Sequence, residues 1–219
     1  MNKAPNVIIF DCDGTVLDTY NLIIQVVLKT FEEIFPEYPM TEQEADTFFG
    51  PFLNDSFQKY VKTKAEVDYC VDRYRYYCEK MTKDYVKVYD GIEDLLKWLK
   101  SKDFKIAIVS NKVTTAIVQG LDICQITKYF DYIVGAEKLK NAKPDPDGIY
   151  QVMNHYHIDR SVLIGDTIID LKTGQNANIS MIGVTWCRTS SKTFIENGAR
   201  YTVNHPSEIK KILEGIYGI

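Results

Sequence analysis

An apolar run, Val7-Ile8-Ile9-Phe10, passes directly into Asp11-Cys12-Asp13-Gly14-Thr15, and this junction limits the possible folds more than any other segment of the chain. Residues two apart on a strand project from the same face, so Asp11 and Asp13 can converge on one ligand. Gly14 lets the chain turn sharply where a Cβ would interfere. The carboxyl end of a buried parallel strand is also where open α/β folds place their active sites. Two like charges at such an exit are costly unless a cation or a proton relieves them. The junction asks for a metal ion, and with it for chemistry.

The second half of the chain supplies the sheet that such a strand needs. Lys105 to Ser110, Tyr132 to Gly135, Ser161 to Gly165 and Met181 to Thr185 are short apolar runs ending in small or polar residues, and they read as buried parallel strands. Tyr201 to Val203 reads as a further edge strand. Helical stripes lie between them: Ile92, Leu95, Leu96 and Leu99, with Asp90 and Glu93 placed as a capping box, and Ile149, Val152, Met153 and Tyr156. Strands alternating with helices predict an α/β fold, a Rossmann-like parallel sheet with helices on both faces.

Residues 18–85 break that rhythm. They carry helical patterns at Leu22 to Phe35, Glu42 to Phe49 and Ala65 to Met81, punctuated by Pro36, Pro39 and Gly50-Pro51. The expected division is an α/β core from 1–17 and 86–219 with an all-helical cap from 18–85, lying over the catalytic end of the sheet. Asp18-Thr19 is expected to cap the first helix of that insertion at the hinge.

With 45% apolar and 26% charged residues, the chain is ordinary for a folded protein, and a formal charge of -4 gives no electrostatic case for nucleic acid or an anionic membrane. The five cysteines include no C-x-x-C pair and fit free thiols in a reducing cytosol. Met1 to Asn6 is polar and the apolar run after it is short, so no signal peptide is expected. No stretch approaches the roughly 18 apolar residues of a membrane span. A cytoplasmic protein is expected, as a monomer or a homodimer.

Four groups fall at strand exits. The first is Asp11 and Asp13. The second is Ser110-Asn111-Lys112, leading into a helix near Thr114, whose N-terminus suits a phosphate. The third is Lys143, in a loop stiffened by Pro144 and Pro146. The fourth is Asp166 and Asp170, two acids four apart that share a face if the turn after Asp166 is helical. Each alone has a plain structural reading as a turn, a helix cap or a solvated lysine. Together they bring acid, hydroxyl, ammonium and acid to one rim. His155 and His157 are two apart on a helix and point to different faces, so with the distant His205 they are expected to serve the surface. The run Tyr69 to Tyr77, with Arg73 and Arg75, is expected mainly to pack and cover.

The set, with Phe49-Gly50-Pro51 before Asp55-Ser56-Phe57 and with Lys143-Pro144-Asp145-Pro146, resembles the haloacid dehalogenase-like hydrolases. The likeness is to the phosphoglycolate phosphatase-like branch, which carries a helical cap after the first strand, and it covers essentially the whole chain. It implies that Asp11 is the nucleophile of an aspartyl-phosphate mechanism and that Asp13 is the acid and base. It implies Mg²⁺ held by the Asp11 carboxylate, the Asp13 backbone carbonyl and Asp166, with Asp170 as a ligand or as partner of a metal-bound water. Ser110 and the Asn111 backbone N–H would hold phosphoryl oxygens, Lys143 would neutralise charge, and Gly50 would face the substrate. Because a halide leaves without protonation and an alkoxide does not, Asp13 argues for phosphoryl chemistry. The expected substrate is a small phosphorylated metabolite. A β-phosphoglucomutase-like mutase and an inorganic pyrophosphatase remain alternatives. A non-enzymatic phospho-acceptor is remote, since receivers are shorter and carry no helical block. Cys12, between the acids, is an expected oxidation risk, and Asn178 stands at a helix exit where asparagine tolerates the left-handed conformation.

Overall fold

A computed structural model describes residues 6–219 of the 219-residue chain. The polar segment from which the lack of a signal peptide is read therefore lies, except for Asn6, outside the described residues. In chain order the elements begin with β1 (Val7–Phe10), β2 (Leu17–Asp18), α1 (Tyr20–Ile34), α2 (Glu42–Ala45), α3 (Leu53–Phe57), α4 (Lys64–Tyr85) and β3 (Lys87–Val88). They continue with α5 (Ile92–Ser101), β4 (Lys105–Val109), α6 (Thr114–Ile123), β5 (Tyr132–Val134), α7 (Asp147–Tyr156) and β6 (Val162–Gly165). The chain closes with α8 (Ile168–Asn176), β7 (Ser180–Val184), α9 (Ser191–Glu196), β8 (Tyr201–Val203) and α10 (Pro206–Tyr217).

Six strands form one sheet in the order β5-β4-β1-β6-β7-β8, with every neighbouring pair parallel. β1 is central, and all four of its residues are fully buried. Alternate residues serve opposite faces. Ile8 and Phe10 join Ile106, Ile108 and Ile164 against α5, α6 and α10, while Val7 and Ile9 join Ala107, Val109 and Leu163 against α7, α8 and α9. Burial on both sides is why these strands read as unbroken apolar runs. After β1 the chain fills one side of the sheet, with β4 and β5, before returning to place β6, β7 and β8 on the other. The switch point therefore lies between β1 and β6, and ligands of open α/β sheets bind outside the strand ends there.

Residues between β2 and β3 are helical, as expected. The pattern at 42–49 is less regular than a single helix, being α2 followed by a 3-10 turn at Asp46–Phe48, and α3 escapes a periodicity reading because it has five residues. β2 and β3 pair antiparallel, Leu17 with Val88 and Asp18 with Lys87, and tie together the two ends of the insertion. A two-residue strand whose partner lies about seventy residues away leaves no pattern in sequence. Phe31 organises the insertion: it is fully buried, with its ring centroid 4.8 Å from Tyr60, 5.1 Å from Phe35 and 5.8 Å from Phe48. Phe31→Ala is expected to cost about 3–5 kcal/mol in urea denaturation. A loss under about 1 kcal/mol would mean that the ring is not the centre of a packed core.

Two expected caps are corrected. α5 starts from Gly91, at φ +78 and without a side-chain cap, so Asp90 stands outside the helix; Glu93 instead takes the Tyr129 hydroxyl at 3.1 Å and pairs with Lys97. Thr19 does precede α1, but its hydroxyl makes no cap and donates to Asp13 at 2.7 Å, since a buried hydroxyl beside a carboxylate makes the stronger, charge-assisted bond. Asn178 is left-handed at φ +55, as its position suggested. All five cysteines are unpaired, and among the described residues no helix is long and apolar enough to cross a membrane.

Candidate active site

The end of β1 is anchored where the Asp11 N–H donates to the Ile164 carbonyl of β6 at 2.8 Å, which puts Asp11 on the switch point beside Asp166. Gly14 turns the chain at φ +76, and a Cβ there would run into the Asp166 carboxylate. The glycine is required by conformation and by space at once. Asp11 and Asp13 both line one cavity, yet their partners differ.

Lys143 reaches Asp11 from the loop before α7. Its Nζ donates to Asp11 Oδ1 and to Asp170 Oδ1, each at 2.6 Å, and the side chain is buried. Burial by itself would lower the pKa of this ammonium, but the Asp11 and Asp170 carboxylates outweigh it and hold the group above its ordinary value. The loop is held in turn by Asn111, whose Oδ1 accepts from the Lys143 N–H at 2.9 Å while its Nδ2 donates to the Gly50 carbonyl at 2.9 Å. One amide thus links the loops after β4, before α7 and before α3. Asn111 was expected to act through its backbone; this side-chain role is visible only in three dimensions.

Asp11, Asp166 and Asp170 each offer an oxygen within 4.8 Å of the others, and all three are buried. Asp166 accepts from the Thr15 hydroxyl through Oδ1 at 2.9 Å, while its buried Oδ2 has no hydrogen-bond partner. Burial pushes the Asp11 carboxyl up to about 7 against the pull of Lys143, and burial with the neighbouring Asp170 and Asp11 pushes Asp166 well above the carboxylate range. Fully ionised, three carboxylates would outnumber the one ammonium, so the cluster needs protons or a further cation, and an orphaned oxygen in such a place suits a cation. A donor set made only of oxygens fits a hard divalent ion such as Mg²⁺ better than zinc. The residues present therefore fit the expected metal.

Asp170 joins the cluster by a route other than the expected one. The helix begins at Ile168, so Asp166 lies outside it, and the two acids converge through a capping box rather than a shared helical face. Asp170 Oδ2 accepts from the Thr167 N–H at 3.1 Å and from its hydroxyl, while Oδ1 faces Lys143. The plain reading as a cap and the functional one hold together, one carboxylate oxygen to each. Asp13 stands apart from the acidic cluster. Its Oδ1 accepts from Lys112 Nζ at 2.8 Å and from Thr19 at 2.7 Å, which fixes the carboxylate on the cavity wall. Ser110 is buried at the exit of β4 with its Oγ accepting from the Lys112 N–H at 3.3 Å.

Ser110, Asn111, Lys143, Asp170 and Gly50 line the same cavity as Asp11 and Asp13, and its volume is about 550 Å³. Every candidate residue except Asp166 is on its wall, and Asp166 lies just beneath, in reach of Asp11 and Asp170. Reading the sequence missed the partners that aim these groups: Thr15, Thr19, Thr167 and Lys112. Thr15 and Lys112 stood inside the noted runs, but nothing local tells which acid each would meet. Cys12 is fully buried and burial pushes its thiol well up, so the thiolate needed for oxidation is suppressed. Tyr74 and Arg75 reach the cavity, whereas Arg73 pairs with Glu33 at 2.9 Å. His155 stacks on Tyr132 at 4.2 Å and His205 caps α10. Among the described residues, no group of metal-ligating side chains includes a histidine.

Comparison with known proteins bears on the family and the fold. The haloacid dehalogenase-like hydrolase family matches residues 8–184. Pyrophosphatase PpaX of Listeria monocytogenes is 33% identical over 181 residues, 82% of each chain. A solved structure described as a predicted phosphatase from Clostridium acetobutylicum is 32% identical and superposes with a TM-score of 0.84, covering 97% of this chain and 100% of that one. A phosphoglycolate phosphatase from Haemophilus somnus, described as predicted, shares the fold at a TM-score of 0.83 with 18% identity, over 97% and 100% of the two chains. With its parallel sheet, its switch-point acids and its family match, the chain belongs to the haloacid dehalogenase-like hydrolases.

Proposed function

We propose that the chain is a Mg²⁺-dependent phosphatase acting on a small phosphorylated metabolite through an aspartyl-phosphate on Asp11. The observation that carries this reading is the meeting of Asp11, Lys143 and Asp170 on the wall of one cavity, with the buried Asp166 beneath them in reach of both acids. Asp11 attacks phosphorus, the ester P–O bond breaks, and Asp13 gives its proton to the leaving oxygen. Asp13 then takes a proton from water, whose oxygen attacks the phosphoryl group, releasing orthophosphate and restoring Asp11. Lys143 neutralises charge as the anionic carboxylate meets the anionic phosphate, and Ser110 with the Asn111 N–H holds the phosphoryl oxygens. Asp11, Asp166, Asp170 and the Asp13 carbonyl would hold the metal, which when bound supplies further charge stabilisation to the phosphoryl oxygens. The helices of 18–85 act as a cap that excludes water, with Gly50 in the loop facing the substrate.

The kinship with the Listeria chain favours one second reading, cleavage of pyrophosphate by the same residues with phosphate as leaving group. The test is release of orthophosphate from a panel of phosphorylated metabolites and pyrophosphate, with and without Mg²⁺; no release from any compound would sink the proposal. Formation of an isomerised sugar phosphate in its place would mark a mutase. Mg²⁺ at a hundredfold excess over its Kd is expected to add about 2.7 kcal/mol of stability, a rise in Tm on the order of 5–10 °C for a chain of this size. Asp166→Asn is expected to lose most of that rise, and an undiminished rise would remove Asp166 from the metal site.

A further inference from the structure

Resting on the phosphatase reading, we propose that the substrate is a phosphomonoester whose alcohol portion is uncharged, apolar and the size of a benzyl or hexyl group or larger. A phosphoryl group held at Ser110 and Lys143 occupies only one end of the cavity. Its volume of about 550 Å³ is within the range of sites that enclose ligands much larger than phosphate, roughly 300–1,000 Å³. Besides the acids, the insertion contributes Ile23, Phe52 and Leu53 to the wall and the core contributes Val113, with Asn54 and Gln119 as uncharged polar groups among them.

The charges on that wall point the same way. The lysines and arginine lining the cavity are Lys143, Lys112 and Arg75. Lys143 is engaged by Asp11 and Asp170, and Lys112 by Asp13. Arg75 is exposed, and Glu79, of opposite charge, stands one helical turn further on the same wall. A leaving group that is itself a phosphate or a carboxylate would give up its hydration to aromatic and aliphatic surface with no buried cation to meet it. An apolar alcohol portion gains instead, by roughly fourfold in affinity for each methylene buried.

The test is kcat/KM with Mg²⁺ for ethyl, butyl, hexyl and benzyl phosphate, beside phosphoglycolate and pyrophosphate. The alkyl members share similar leaving oxygens, so differences among them report the wall and not the chemistry. Hexyl phosphate is expected to exceed ethyl phosphate by roughly 30-fold or more, and to exceed phosphoglycolate and pyrophosphate as well. Leu53→Asp is expected to reduce the hexyl-to-ethyl ratio at least fivefold. A flat alkyl series, a preference for phosphoglycolate or pyrophosphate, or an unchanged ratio in the variant would each overturn the assignment while leaving the phosphatase reading intact. The wild-type series decides alone if the variant does not fold. Failure to release phosphate from any of the six would defeat the phosphatase reading, and this inference with it.

Discussion

Asp11→Asn is expected to abolish Mg²⁺-dependent phosphate release, lowering kcat on the order of 10⁴-fold or more, the scale on which removing a nucleophile acts. Asparagine has nearly the same size, so the buried site keeps its packing, and Lys143 keeps Asp170 at 2.6 Å as a partner. The amide oxygen is too weak a nucleophile to displace an alkoxide. The loss should therefore fall on kcat, with the far-ultraviolet circular dichroism of the folded protein retained. Since burial disfavours the charged form of Asp11, the variant replaces a carboxyl that is costly to ionise by a neutral amide. Its metal-free stability is expected to equal or exceed that of the wild type, a separation of activity from stability common at such sites. Turnover near the wild-type level would show that Asp11 is not the nucleophile.

Lys143→Met carries the second large effect, and here stability and activity fall together. Lys143 is buried between two carboxylates, and its removal leaves Asp11 and Asp170 facing each other with no counter-charge. Breaking a buried pair in this way costs about 3–5 kcal/mol, to be read from urea denaturation in the presence of a chelator. Mg²⁺ should recover more stability in the variant than in the wild type, because it becomes the sole cation among the three acids. Activity is expected to drop on the order of 10²–10³-fold, as for the loss of one preorganised electrostatic group. A variant as stable as the wild type without metal would mean that Lys143 does not neutralise the cluster. Arginine is a poor substitute, since its planar fork cannot take the place of a compact ammonium between two oxygens.

Much of this site was legible in the linear chain because the groups at Asp11, Ser110 and Asp166 directly follow apolar runs, whereas Lys143 stands in a loop well beyond the end of β5. Strands buried on both faces leave unbroken stretches such as Val7–Phe10 and Val162–Gly165, and the first polar residue after each marks the catalytic edge of the sheet. The helical insertion was visible for a related reason, as amphipathic repeats without strand runs between them. What stayed hidden was every partner chosen by the fold. Thr15 meets Asp166 across 151 positions, and Lys112 meets Asp13 across 99. Thr19 was expected at a helix cap and is spent on Asp13 instead, since a buried hydroxyl takes the strongest acceptor in reach.

The sequence by itself determined the parallel sheet, the insertion after its first strand and the identity of the acids, the hydroxyl and the lysine that gather at one rim. The sheet and the insertion follow from period and burial, which are local properties of the chain, and the acids, the hydroxyl and the lysine were legible only as a set. Only the tertiary structure decided how the charges divide between them. Asp11, Asp166 and Asp170 form a cluster relieved by Lys143, while Asp13 is drawn aside by Lys112 and Thr19. Two aspartates two positions apart thus meet different partners, because distance in space, set by strand order and by the loops that cross the rim, governs electrostatic interaction and spacing along the chain does not.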